Sequence, residues 1–213
     1  YLSVASSDWS QSSVLDTLVI LGETTPKQCK PVAGKVQVCN ATYGRNGWLG
    51  IANIWISGSH ITQGTTKLND SYFNTATYNT PAWRQFVTCQ EIGHTFGLGH
   101  QDENFSNANL GSCMDYTNDP SANQHPNQHD YDLLASMYGH LDGSTTLAAS
   151  LPPPAMNDID FDGPGHWGRL VKSQRDGRLQ TFEQDFGGGH KVVTFVIWAE
   201  PRGKAHEQQD PHE

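Results

Sequence analysis

The stretch Gln90-Glu91-Ile92-Gly93-His94-Thr95-Phe96-Gly97-Leu98-Gly99-His100 constrains this chain more than any other. Thr80 and Pro81 precede it as a helix cap and a first helical residue, and Trp83, Phe86 and Val87 form an apolar stripe at helical spacing. A helix is therefore expected from Pro81 through His94, ending near Gly97 or Gly99, because glycine leaves helical geometry cheaply. Gln90 and His94 then share one face about one turn apart, with Glu91 beside them. Gly97 lets the chain turn through positive φ, and His100 returns from the loop toward the same spot. Three neutral donors around one point, with a carboxylate alongside, suit a metal that acidifies a bound water. Glu91 is placed to take that water's proton. A lone helical histidine is usually a surface residue, and His60, His125, His129, His140, His166 and His190 read that way. Two histidines at this spacing around Glu91 and Gly97 are much harder to obtain by chance.

These residues resemble the metzincin clan of zinc endopeptidases, whose pattern is H-E-x-x-H-x-x-G-x-x-H followed by a methionine turn. Glu91, His94, Gly97 and His100 stand at matching positions, and Ser112-Cys113-Met114-Asp115-Tyr116 resembles the methionine turn. The resemblance spans about residues 8 to 140 and includes a closing helix at Ala135-Ser136-Met137-Tyr138-Gly139. It implies zinc held by Gln90, His94 and His100, Met114 beneath the metal, and Glu91 as catalytic base. It implies that Tyr116 is catalytic, as a ligand or by steadying the reacting oxyanion, as in astacin-like and serralysin-like members. It also implies an α+β fold: a twisted mixed sheet, mostly parallel with an antiparallel edge strand, backed by two helices. The function implied is that of a secreted endopeptidase.

One position departs from the pattern. The family's first ligand is histidine, and here it is Gln90, whose amide oxygen is neutral but a poorer zinc ligand than imidazole. Three readings follow: Gln90 ligates, Tyr116 or water takes its place, or the chain is a pseudo-peptidase that binds without cutting. Gln101, directly after His100, leaves the subfamily open.

The remaining chain organises around this segment. Val14 to Leu21 is a short apolar run that reads as a buried strand or a helix end. Lys35 to Cys39 and Leu49 to Ile56 read as strands, and the Thr-rich His60 to Leu68 as an edge strand with one solvated side. Such an edge would take a protein or peptide substrate in extended form. A second helix is expected from Pro126 to Tyr138, ended by Gly139. The expected organisation is a catalytic domain over residues 1–140, a linker over 141–168 containing Pro152-Pro153-Pro154, and a β-hairpin extension with polar tail over 169–213. Asp176-Gly177 and Gly187-Gly188-Gly189 mark the turns of that extension.

Asp158, Asp160 and Asp162 with Gly163 match the start of a calcium loop, and so are candidate calcium ligands. The twelfth position is Arg169 rather than Glu, so a full EF-hand loop is absent. Four cysteines allow three pairings, and the economical one, Cys29–Cys39 with Cys89–Cys113, closes two modest loops. Disulfides point to an oxidising compartment; four buried thiols would point to the cytosol. Asn40, Asn69 and Asn104 begin glycosylation sequons. A net charge of −9, spread along the chain, disfavours nucleic acid and anionic membranes as partners. No apolar run is long enough to span a bilayer, and Tyr1 to Asp8 lacks the basic start and apolar stretch of a signal peptide. A secreted monomer is the expectation.

Overall fold

β-branched and aromatic residues dominate the two hairpins that build the middle of this protein. The computed structural model describes residues 1–102, 104, 107–141, 156–157, 159–173 and 177–199. Strands β1 (Val36–Ala41), β2 (Trp48–Ser57), β3 (His60–Asn69), β4 (Arg169–Ser173), β5 (Leu179–Gly187) and β6 (His190–Trp198) form one mixed sheet in the order β1-β3-β2-β6-β5-β4. Helices α1 (Leu2–Trp9), α2 (Asp70–Phe73), α3 (Pro81–Thr95) and α4 (Gln128–Tyr138) complete the α+β architecture.

Three expectations are corrected here. Among the described residues the sheet is mostly antiparallel: only β1 and β3 run parallel, while β2 pairs antiparallel with both β3 and β6. The expected edge strand His60 to Leu68 is interior, because β1 covers one side of β3 and β2 the other. Its polar side chains do not face solvent; Thr62, Gln63, Thr65, Thr66 and Lys67 are all buried. Val14 to Leu21 is neither strand nor helix, and Leu18 and Leu21 are largely exposed. An apolar run becomes a strand only if it pairs along an edge, and among the described residues the outer edge of β1 carries no strand.

The C-terminal strands differ from a separate appendage. β6 pairs along β2 from Trp48↔Trp198 to Ser57↔His190, which makes it a central strand. The described part of the expected linker is likewise packed: Met156, Phe161 and Trp167 are fully buried against Trp48, Trp55, Val192 and Val196. The indoles of Trp48, Trp55 and Trp167 donate to the carbonyls of Asp162, Met156 and Phe161 and hold this segment in place.

Side chains alternate across a strand, so the sheet has two buried faces. One packs on α1, α3 and α4 through Trp9, Phe86, Val87, Ile92, Met114 and Leu134. The other carries the Trp-rich cluster just described. The two disulfides are Cys29–Cys39 and Cys89–Cys113, the pairing expected from loop size. Among the described residues no helix is long and apolar enough to cross a membrane.

Candidate functional site

α3 forms where its cap and stripe predict. Thr80 accepts a hydrogen bond from the Trp83 N–H, and Pro81 occupies the first turn. Every residue from Gln85 to Thr95 is buried, so the helix runs through the core beneath the sheet. Its end is built around Gly97, which has φ of 86°. The Gly97 N–H bonds the His94 carbonyl at 2.9 Å and the Leu98 N–H bonds the Gly93 carbonyl at 3.4 Å. That is the paired pattern of a glycine-terminated helix, which satisfies carbonyls otherwise left unbonded.

This cap has a chemical consequence. It brings the Leu98 carbonyl to 2.8 Å from His94 Nδ1. A carbonyl only accepts, so Nδ1 carries the proton and Nε2 keeps its lone pair. A second-sphere carbonyl that fixes the tautomer and aims the ring is the usual support of a metal-binding imidazole. His100 lies against His94, with ring centroids 4.5 Å apart. Its Nδ1 is 2.6 Å from the Tyr116 hydroxyl, while its Nε2 is buried without a hydrogen-bond partner. The side-chain oxygen and nitrogen of Gln90 and Glu91 Oε2 are also buried, and none of these atoms has a partner among the described residues. Buried polar atoms are nearly always bonded, so these atoms call for an explanation; Gln63 Oε1, Gln85 Nε2 and Asp115 Oδ1 are in the same condition among the described residues.

Burial sets the protonation of the site. It pulls His94 down to about 4, and it holds His100 well below the usual imidazole range, with His94 and Lys172 adding to the effect. Both rings are therefore neutral donors near pH 7. Burial pushes the Glu91 carboxyl well above the carboxylate range. A cation beside it would favour the ionised form instead. Among the described residues no group of three His, Cys, Asp or Glu is placed to hold a metal; the structure brings the His94 and His100 rings together, with Gln90 one helical turn before His94. The donor types suit a zinc ion: two neutral imidazoles and an amide oxygen, with His100 Nε2 and Gln90 Oε1 lacking another partner among the described residues.

The turn carrying Met114 lies directly beneath. A Cβ on Gly93 would fall 2.6 Å from Met114 Sδ and 2.6 Å from a Trp9 ring carbon, so only glycine admits both side chains beside His94. The Cys89–Cys113 bond joins α3 to this turn. Ser112 Oγ accepts from the Met114 N–H and donates to Asp130, which is part of the capping box of α4. The Gln101 N–H bonds the Met114 carbonyl at 2.7 Å, tying His100's neighbour to the same turn. Tyr116, two residues beyond Met114, touches His100 through its hydroxyl.

Above the site lies the sheet. A Cβ on Gly50 of β2 would fall 2.7 Å from Glu91 Oε1, so the carboxyl sits directly against that strand. Phe195 of β6 stacks flat on His94, with centroids 4.3 Å apart and planes 4° from parallel. Phe195 escapes sequence reasoning, because the β2–β6 pairing that delivers it crosses most of the chain. Leu98, Gly93 and Trp9 escape it too; only the glycine carried a signal, as a small residue inside a buried helix.

The candidate calcium ligands have a different environment. Asp162 is ion-paired with buried Lys67 of β3, and Asp160 lies 3.9 Å from the same ammonium. Lys67 supplies the positive charge that these carboxylates face. Asp158 lies outside the described residues. Of the glycosylation sequons, Asn69 is fully buried and bonds three oxygens, Gly44 O, Asn46 Oδ1 and Trp48 O, which makes it a structural residue. Compared with protein-family models, curated proteins and solved structures, the chain matches none.

Proposed function

We propose that this protein is a secreted zinc-dependent endopeptidase of metzincin type that uses a glutamine in place of the first histidine ligand. The observation that carries the reading is the group of buried, partnerless polar atoms on Gln90, Glu91 and His100 beside a tautomer-fixed His94. Zinc, when bound, supplies a Lewis acid that acidifies water and polarises a carbonyl. Gln90, His94 and His100 are the residues that hold it. Glu91 accepts the proton of the attacking water and delivers it to the leaving amine. Tyr116 orients His100 through its hydroxyl, which leaves His100 Nε2 as the donor atom when Nδ1 carries the proton. The two disulfides support an oxidising, extracellular setting.

A second reading, a pseudo-peptidase that binds but does not cut, draws on the cover that Phe195 places over His94. Metal analysis and a mixed peptide library decide between them. A chelator titration of wild type, Gln90→Ala and Gln90→His should give zinc retention in the order His, then wild type, then Ala, since imidazole is the better zinc ligand. Equal retention in all three would remove Gln90 from the ligand set. Zinc in wild type without cleavage of any library member would favour the binding module.

A further inference from the structure

We propose that this protein self-associates through strand β1, which pairs antiparallel with β1 of a second copy across a twofold axis at Val38. The proposal goes beyond the peptidase reading and does not depend on it; it replaces the expected monomer by a dimer.

The edge is open and self-complementary. β1 is an outer strand, and among the described residues no strand pairs with its free side. The Gly64 N–H bonds the Lys35 carbonyl at 3.0 Å, and Val36 is in register with Gly64. Backbone direction alternates along a strand, so Lys35, Gln37 and Cys39 turn their N–H and C=O groups toward β3, and Val36, Val38 and Asn40 turn theirs outward. Three outward residues at a period of two are what an antiparallel pairing about a twofold axis needs. Val38 meets the second copy's Val38, and Val36 meets the second copy's Asn40, each pair exchanging both backbone hydrogen bonds. β1 lacks the devices that usually block such pairing: Val36–Ala41 holds no charged residue and no proline, and its register with β3 has no bulge. Lys35, just before it, is already ion-paired with Glu23.

An apolar surface lies beside this edge. A groove of about 570 Å³ runs between β1 and the segment Leu15 to Gly22, over Ile92 and Phe96. Leu18, Val19, Ile20, Leu21 and Val36 line it and are exposed, Leu18 at 84% and Leu21 at 93%. A run of exposed apolar residues is a liability unless a partner covers it. Their exposed surface is on the order of 500 Å², near the upper end of what a monomer carries in one patch. A twofold axis doubles it to about 1,000 Å², the least that a specific interface buries. Charge favours the same place. The chain carries a net charge of −9, so copies repel, whereas the charged residues lining this groove, Asp16 and Lys35, are of opposite sign.

The test is sedimentation equilibrium of the full chain over a micromolar concentration series, where wild type should show a monomer–dimer equilibrium. Val38→Pro removes the outward N–H at the axis and leaves the bonds to β3 in place, since proline is tolerated on the free side of an edge strand. Leu18→Lys/Leu21→Lys sets like charges against each other at two largely exposed positions. Each should weaken the dimer by at least about tenfold. Leu141→Lys, at a fully exposed apolar residue outside the groove lining, should leave the equilibrium within about twofold of wild type. The double-lysine variant decides the matter alone if Val38→Pro does not fold. A wild type that stays monomeric throughout overturns the proposal, and an extended apolar peptide bound by that monomer would be the occupant of the edge instead. A dimer unmoved by both variants, or moved as much by Leu141→Lys, lies elsewhere on the surface and overturns it too. So does a glycan on Asn40, read as a mass loss on deglycosylation, because it would stand on the free edge.

Discussion

The two faces of the sheet bury polar residues in opposite ways. On the Trp-rich face, Asn53 bonds Thr194, Thr65 bonds Asn53, Lys67 pairs with Asp162, and Gln63 Nε2 reaches Asn157. Only Gln63 Oε1 is left over in this set. On the helix side, both amide atoms of Gln90, one oxygen of Glu91 and one nitrogen of His100 lack partners among the described residues, as do Gln85 Nε2 and one oxygen of Asp115. A satisfied buried network adds stability and specifies a unique packing. An unsatisfied one costs free energy, and its persistence points to a ligand that completes it. Under the proposed function, the Trp-rich face is structure and the helix face carries the chemistry.

Substitutions on each face should separate accordingly. Glu91→Gln should lower peptide turnover by about a thousandfold, within the range of a lost general base. Zinc content and thermal stability should hold, since the amide keeps the size of the carboxyl. Turnover within a few-fold of wild type would return Glu91 to the structural side of the comparison.

Removing the Cys89–Cys113 bond as a Cys89→Ser/Cys113→Ser pair should cost about 3 kcal/mol, the usual scale for a loop of this size. Activity should fall further than Cys29→Ser/Cys39→Ser lowers it, because only the first bond ties α3 to the Met114 turn. Denaturant unfolding together with kcat measures both effects, and equal activity losses would show that the turn needs no tether.

Lys67→Met should destabilise by about 2 kcal/mol by leaving Asp162 without its cation on the Trp-rich face. Asp162 keeps some access to water, so the loss stays below that of a fully buried pair. Zinc retention should not change. A drop in zinc would link the two faces and undo the separation.

The smallest effect is expected at Tyr116→Phe. Losing the hydroxyl on His100 Nδ1 should weaken zinc by about tenfold, as for other second-sphere partners of metal-bound histidine. Gln90→His in the same background should recover part of that affinity. Turnover falling while zinc affinity is unchanged would place Tyr116 at the reacting oxygen instead.

Much of the helix face was legible in the chain itself. The cap at Thr80–Pro81, the stripe, the Gln90–His94 spacing and the Gly97 exit are local features within a few turns, and each appears where expected. The joining of His100 to Tyr116, and of Cys89 to Cys113, follows from short segments folding back on α3. The sheet was legible strand by strand but not in its order. β3 looked like a solvated edge because its Thr, Gln and Lys residues are polar, yet those residues are buried and bonded to segments far along the chain. Val14 to Leu21 looked buried because it is apolar, but it forms no strand and Leu18 and Leu21 are largely exposed.

The division has a physical origin. Helix capping, positive φ at glycine and side-chain spacing are set by residues within about one or two turns of each other, so sequence alone placed Gln90, Glu91 and His94 on one capped helix and His100 just beyond its glycine exit. Strand order is set by which edges meet in the folded chain, and alternation says nothing about the partner. Only the tertiary structure could decide that β6 closes on β2, that Phe195 lies on His94, and that the polar strand β3 is interior.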